Sequence, residues 1–507
     1  MIKSNYYASS FFWSTTQKIL NAILGFISIP LLLGYYGKAE YGILAIATAC
    51  NGYMNLLDLG MNIGTVKYFS QWRTEGKTKL IDRVAQTNIS FYFLIACINS
   101  VTLICLGLFG EHLFAITHEQ FLQLKTCLFI IAIFSVFSWE TTTFNQLLIS
   151  NKQIAYTMQI QCIQILLKAL LICIVLWKHI PLTVYFLGLT AITSFLLFPY
   201  AIKCKKQSLI NSFKPAFYWK DFKVVAIFSL SIFTLSLFQM TATQSRPILL
   251  GIFATNGAET VSEFRIIEVI PQLIIVIGGT FSSIFLPKTA EIIAKQNDTE
   301  IKKFAYRWTT ITTIIASILC FPFMLGATEI LTAFVGNDFQ NLSVWLIIWV
   351  ICTLLQIHSS PINALILAYG KVKILVLTSA ISCIISMIIN ALLAPKYGVG
   401  SAIIGYACYT LIVLCVNYLI YYRKIMKLSL YKVLLSFSLP TLCGCIALIV
   451  SHFIFSHITH IRLYTERLDN IIYFSIKCLC WLTLFTALIL SFRIVKIINK
   501  KITVFNE

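Results

Sequence analysis

Long apolar runs constrain this chain more than any other feature. Segments of roughly 20 apolar residues follow one another with short connections, and a helix of that length crosses a hydrocarbon core about 30 Å thick. A barrel strand needs about half that length, and backbone in lipid must satisfy its own hydrogen bonds, so the spans are helices. Fourteen segments qualify, at 11–34, 42–64, 84–108, 121–148, 155–177, 182–202, 225–252, 262–286, 306–327, 341–368, 372–393, 398–422, 432–455 and 470–492. With 58% hydrophobic and 11% charged residues, the chain has far too much apolar surface for a soluble domain. The expected fold class is an all-α polytopic membrane protein. The first apolar segment runs past Pro30, too long for the core of a signal peptide, and is expected to be the first span.

The net charge of +20 is distributed by side, which argues for topology and against nucleic acid. Alternate connections place 28 of the 39 Lys and Arg on one side, six on the other and five inside spans. By the positive-inside rule both termini are expected in the cytoplasm. Any single cationic loop residue is explained by topology and contact with anionic lipid. The sixteen cysteines lie mostly inside apolar runs, where they act as small hydrophobes, and their spacing predicts neither a disulfide framework nor a metal site.

A second pattern divides the chain. Pro30-Leu31-Leu32-Leu33-Gly34 returns as Pro247-Ile248-Leu249-Leu250-Gly251, and Asn145-Gln146-Leu147-Leu148 is echoed by Asn363-Ala364-Leu365-Ile366, at offsets of 217 and 218. Such parallel repeats build carriers whose two lobes rock about a central site. The expected organisation is a six-helix lobe at 1–203, a basic linker at 204–223, a second six-helix lobe at 224–424, and two appended helices with a tail at 425–507.

Short motifs then point to a family. They are Leu33-Gly34-Tyr35-Tyr36-Gly37-Lys38-Ala39-Glu40 running into Tyr41-Gly42, and Leu56-Leu57-Asp58-Leu59-Gly60-Met61. Leu286-Pro287 with Ala290, and Gly398-Val399-Gly400-Ser401-Ala402, add to these. Together they resemble Wzx-type polysaccharide flippases of the multidrug/oligosaccharidyl-lipid/polysaccharide exporter superfamily. Relatives often carry an acidic-basic pair before the glycine of span 7; here Gln244-Ser245-Arg246 keeps only the arginine. The resemblance implies two lobes around a central cavity and, as cargo, an undecaprenyl-diphosphate-linked oligosaccharide of O-antigen, lipopolysaccharide or capsule synthesis. That cargo would move from the cytoplasmic to the periplasmic leaflet of a bacterial inner membrane. The resemblance also implies partners, a polysaccharide polymerase and a chain-length regulator, and requires no cofactor.

Charges inside spans single out candidate site residues, because each costs about 2.5–3.5 kcal/mol unless it meets a cavity or a partner. Lys18 and Gln17 belong to a polar stripe on span 1 that faces either a wet cavity or the membrane boundary, where a lysine snorkels. Arg246, beside the proline Pro247, suits a diphosphate, which a guanidinium grips with two parallel hydrogen bonds; the competing role is a structural ion pair. Lys168 with Gln164 on span 5 suits sugars and phosphate, or bonding between helices. Arg265 is a candidate for cargo phosphate and Glu268 for coupling, against the alternative that the two, spaced i and i+3, pair on one helix face. Asp58, with Gly60, is expected to be structural, as are Pro30, Gly34, Pro247, Gly251 and Lys477.

The offset of 218 also aligns Glu140 with His358. Imidazole titrates near neutrality, and burial brings a carboxyl toward the same range. The pair is therefore a candidate for proton coupling, against the alternative that each is satisfied within its own lobe. The external loops are too short for a catalytic domain, and neither a DxD metal pair nor a phosphate-loop motif occurs, so no catalytic residue is assigned and an enzyme is not expected. Membrane polymerase or glycosyltransferase activity is the enzymatic alternative. A drug or cation exporter of the same superfamily is the other, and it would favour acids and aromatics over lysine and arginine.

Overall fold

A computed structural model describes residues 2–294, 298–369, 372–458, 467–492, 495–498 and 501–504. The described residues form helices joined by short connections, with one short antiparallel hairpin in which β1 (Val495–Ile498) pairs with β2 (Lys501–Val504). Two compact units divide it, 1–262 and 263–507.

The first unit begins with α1 (Ile2–Met54), which breaks once, at Gly37 (φ 78°). It continues through α2 (Met61–Thr74), α3 (Thr78–Phe109), α4 (His118–Ser150), α5 (Ile154–Lys178), α6 (Leu182–Ser194), α7 (Leu197–Lys206) and α8 (Trp219–Phe253). Next comes α9 (Gly257–Ala294), whose first residues belong to the first unit and the rest to the second. The second unit adds α10 (Asp298–Leu325), α11 (Ala327–Val335), α12 (Ser343–His358), α13 (Ser360–Ala368), α14 (Val372–Tyr397), α15 (Val399–Val416), α16 (Leu430–Ile458) and α17 (Arg467–Ser491). A π-helical stretch, Asn417–Ile425, prolongs α15.

Eleven described stretches are long and apolar enough to cross a membrane, and the first of them contains both arms of α1. The helices α8 and α9, of 35 and 38 residues, are long enough for the remaining two passes of the expected fourteen. Several boundaries differ from the sequence pattern; the expected span at 182–202 is interrupted at Phe195 and Leu196, between α6 and α7. Span 2 stops being α-helical at Met54: a 3-10 turn follows at Asn55–Asp58, then two left-handed residues, Leu59 and Gly60, before α2. Span 10 is broken at Ser359, which separates α12 from α13.

Local chemistry accounts for the elements. Thr117 and Gln120 exchange side-chain and backbone hydrogen bonds in a capping box that opens α4. Serine and threonine hydroxyls along the spans return to carbonyls one turn back, as Thr48 does to Leu44 and Thr353 to Trp349. Large apolar side chains such as Ile133 (70% exposed), Leu392 (73%) and Leu479 (63%) point outward from spanning helices, where lipid covers them.

In the first unit α3 packs along α4, and Asn99 and Ser135 bond between them. The segment after α7 is strapped to α3: the Asn211 amide donates to Asp82, the Tyr218 amide donates to Thr87, and Ser90 donates to the Ala216 carbonyl. Leu209 and Ile210 of this strap are buried in a core shared with Leu147, Leu148 and Tyr200. The second unit has its own core around Phe285, Leu365, Ile366 and Tyr422. The offset of 218 pairs Leu147 and Leu148 with Leu365 and Ile366, so the duplicated segment serves the same purpose in both cores.

The α2–α8 contact depends on glycine. Gly60 has φ 74°, and a Cβ there would stand 2.6 Å from the Ser229 carbonyl oxygen; a Cβ on Gly64 would meet the Ser229 hydroxyl. This small-xxx-small spacing lets the two backbones approach closely. The left-handed backbone alone penalises a side chain by about 1–2 kcal/mol. Gly60→Ala is therefore expected to lower thermal stability in detergent by at least that amount. Gly34→Ala, where a Cβ meets no atom within 4 Å and alanine favours the helix, is expected to keep or raise stability. Equal melting temperatures for the two variants would contradict the packing described.

In the second unit, Lys477 of α17 donates to Glu329 of α11 at 2.5 Å, and both side chains are largely buried (10% and 18% exposed). Removing one partner of such a pair leaves an uncompensated charge, at a cost of about 3–5 kcal/mol in soluble proteins. Lys477→Met is expected to destabilise by about that amount, and the further change Glu329→Leu to restore most of it, as read by thermal unfolding.

Candidate functional site

One end of the first unit is marked by the break in α1. There Tyr35 lies against His179 (ring centroids 5.8 Å), the Tyr36 hydroxyl donates to the Ile180 carbonyl at 2.9 Å, and Gln123 of α4 reaches Glu40 at 3.4 Å. Tyr35, Tyr36, Glu40, Gln123 and Ile180, with Pro181 and Thr183, line a cavity of about 390 Å³. Aromatic faces beside a carboxylate and an amide are the groups that hold a sugar. At the same end the Ala115 amide donates to the Gly251 carbonyl, and the Gly257 amide donates to the Ala115 carbonyl, tying the last turn of α8 and the start of α9 to the loop before α4.

Measured from this end at 1.5 Å per residue, the three cations of the first unit stand at three depths. Arg246 is five residues before Gly251, about 8 Å in. Lys168 is eleven residues before His179, about 16 Å in and so near the middle of a core about 30 Å thick. Lys18 is eighteen residues before Tyr36, about 27 Å in, near the opposite boundary. Lys18 is exposed and Lys168 half-buried, and neither makes an ion pair among the described residues. Arg246 is buried, and its Nε donates to the Ala242 carbonyl at 2.9 Å. Helix α8 continues through Pro247, whose missing N–H leaves the Thr243 carbonyl without its usual partner. Gln244 lies against Gly52 of α1. The glutamine face of α5, with Gln161 and Gln164 at helical spacing from Lys168, is half-buried. Gln17, next to Lys18, is half-buried as well.

The opposite end of the first unit holds a polar chain on four elements. Asp58 accepts the Tyr92 hydroxyl at 2.7 Å and the Asn62 amide at 3.2 Å. Gln146 donates to Tyr92 at 2.8 Å, and Asn88 donates to both Gln146 and Thr65 at 3.2 Å. The chain joins α2, α3 and α4 to the turn that carries Asp58. Of its members only Asp58 is charged, so a search by charge finds Asp58 and passes over Tyr92, Asn88, Gln146 and Thr65. Polar amides interrupting apolar runs were the available signal.

Glu140 lies on α4 about 26 Å from Gln123, at the depth of Lys18. It is 8% exposed, and neither carboxylate oxygen has a hydrogen-bond partner among the described residues. His358 is buried in the second unit, where its Nε2 meets the Tyr418 hydroxyl at 3.2 Å and its ring lies 4.3 Å from that of Phe437. The offset of 218 pairs Tyr418 with Tyr200, which instead bonds the Thr157 carbonyl. Equivalent positions thus have different partners in the two units.

Arg265 and Glu268 pair within α9 at 2.6 Å, and Gln272 also reaches Glu268. Among the structural candidates, Pro30 sits inside α1, Gly34 is exposed on it, and Gly251 packs against Ile46 and Phe114. No cluster of side chains able to hold a metal occurs among the described residues.

Comparison with known proteins fits this architecture. The lipid II flippase MurJ in an inward closed conformation superposes with a TM-score of 0.67 at 15% identity, covering 96% of this chain and 98% of that one. An inward-facing multidrug resistance MATE transporter of the MOP superfamily also scores 0.67, at 13% identity, covering 82% and 96%. A eukaryotic MATE transporter scores 0.52 at 11% identity, covering 85% and 96%. No curated protein matches. At such identities these likenesses establish the fold alone, one shared with the MurJ and MATE structures. The sequence itself matches the polysaccharide biosynthesis protein family over residues 8–292, more than half its length, and the chain belongs to that family.

Proposed function

We propose that the chain carries an undecaprenyl-diphosphate-linked oligosaccharide from the cytoplasmic to the periplasmic leaflet of a bacterial inner membrane by alternating access. Both termini are then cytoplasmic, as the bias of Lys and Arg toward one set of connections requires. The protein is a carrier and not an enzyme. The observation that carries this reading is the spacing of Lys18, Lys168 and Arg246 at three depths of one unit, with no ion pair at either lysine among the described residues. Structural cations in a membrane are paired; Lys18 and Lys168, with no ion pair among the described residues, suit an anionic headgroup in transit. The family and a fold shared with a lipid II flippase support a lipid-linked glycan as that cargo. The tail stays in the bilayer while the diphosphate and sugars cross. The aromatic cavity by Tyr35 and Tyr36 lies at the periplasmic end in this orientation and suits the sugar on arrival. A polymerase and its chain-length regulator would receive the product. Glu140 and His358 remain the candidates for proton coupling.

The test is a leaflet assay in proteoliposomes with purified protein and an undecaprenyl-diphosphate oligosaccharide. A lost hydrogen bond to a charged group is worth about 1.5–3 kcal/mol, so Lys168→Ala and Arg246→Ala are each expected to slow flipping about tenfold to a hundredfold. Lys18→Ala is expected to have a smaller effect, since that side chain stands near the boundary. Wild-type rates in all three variants would overturn the cationic route. In the same vesicles under an imposed pH gradient, Glu140→Gln is expected to remove the dependence of transport on that gradient. An unchanged response would exclude Glu140 as the coupling group.

A further inference from the structure

The second unit contains a basic cavity that the transport reading does not use. It measures about 560 Å³ and lies between the first turns of α10 and the turn that leads into α16. Lys302 and Lys303 come from α10, and Lys427 and Lys432 from either side of that turn; Thr299 and Ser429 add hydroxyls. None of the four lysines makes an ion pair among the described residues. The acids nearest in sequence, Asp298 and Glu300, are exposed, and Glu300 has an interaction of its own.

The turn is fixed rather than loose. Lys427 holds a left-handed backbone (φ 51°) and the Leu428 amide donates to the Tyr422 carbonyl. The Ser429 amide donates to the hydroxyl of buried Tyr306 at 2.9 Å, and the Lys432 ammonium stands 5.9 Å from that ring. Four like charges around one cavity repel each other, and an anion between them removes that cost. Both α10 and α16 are spanning helices and both begin here, so the cavity sits at the depth of lipid headgroups. Their N-terminal amides add partial positive charge in the same place.

We infer that this cavity binds a phosphate ester, supplied by the headgroup of an anionic phospholipid in the leaflet that surrounds it. A zwitterionic headgroup carries its own cation and fits four lysines poorly. The phospholipid would bridge α10 and α16, pinning the appended pair of helices to the rest of the unit. This inference is independent of the cargo: it fails or stands whether or not the protein carries a glycan.

The experiment is native mass spectrometry of the full chain, delipidated and titrated with phosphatidylglycerol, phosphatidylcholine or glycerol 3-phosphate. A lysine near an anionic headgroup contributes about fivefold in affinity, so Lys302→Gln/Lys427→Gln/Lys432→Gln is expected to weaken phosphatidylglycerol binding on the order of a hundredfold. The same three positions changed to arginine are expected to retain it. Lys427→Gln alone, at an exposed turn residue, should lose about fivefold and keeps the test decisive if the triple variant does not fold. Displacement of the lipid by excess glycerol 3-phosphate would support the phosphate site and assign it to soluble esters as well. Equal binding by wild type and the glutamine variants, loss of binding in the arginine variant, or equal affinity for phosphatidylcholine would each overturn the inference.

Discussion

The backbone in hydrocarbon has no water to bond, and the rest of the structure follows from that. Every span is helical because only a helix satisfies its own amides and carbonyls. Hydroxyls fold back onto carbonyls of their own helices, and amide side chains meet across helices, as Asn88 with Gln146 and Asn417 with Asn363. Where two helices must approach more closely than side chains allow, glycine stands at the contact. A Cβ on Gly42 would overlap the Ala258 carbonyl, just as one on Gly64 would overlap Ser229. Packing here cannot be driven by water exclusion, so close backbone contact and polar pairing carry it.

The same constraint gives meaning to the charges. Where a charge serves structure it is paired: Lys477 with Glu329, Arg265 with Glu268, Asp58 with the Tyr92 hydroxyl. Lys168 breaks that pattern near mid-depth and Glu140 breaks it near the far end. A membrane protein holds such groups at a cost in stability, and a cost of that kind is characteristic of function. The basic cavity at the start of α10 and α16 is the interfacial counterpart, since its lysines stand where water and headgroups can reach them.

Much of this was legible in the sequence. Apolar runs located the helices because their length is set by the bilayer, and the pairing of Arg265 with Glu268 followed from helical geometry. The echo of Asn145–Leu148 at Asn363–Ile366 marks residues buried in both cores. Other features were not. The break at Ser359 was signalled by Ser359-Ser360-Pro361, yet the apolar stretches on either side read as one span. The strap after α7 resembles a basic linker in sequence, yet Leu209 and Ile210 bury themselves and Asp82 bonds Asn211, outcomes of tertiary contact. The packing of α8 with α1 crosses the boundary between repeats, which a repeat alone does not specify. In the candidate site, charges were found because they are rare, while Tyr92, Asn88 and Gln146 were missed because single polar residues are common in spans.

The measurement that bears most directly on the account is a comparison of cargo by wild-type protein alone. The same oligosaccharide would be attached to the same polyprenyl tail through a diphosphate or through a neutral ether, and the flipping rates of the two compared in one preparation of proteoliposomes. The proposed route past Lys18 and Lys168 predicts that the diphosphate-linked lipid crosses at least about tenfold faster, the value of one charge-assisted hydrogen bond. Equal rates, or preference for a cationic amphiphile, would contradict it and point to a drug exporter built on the same fold.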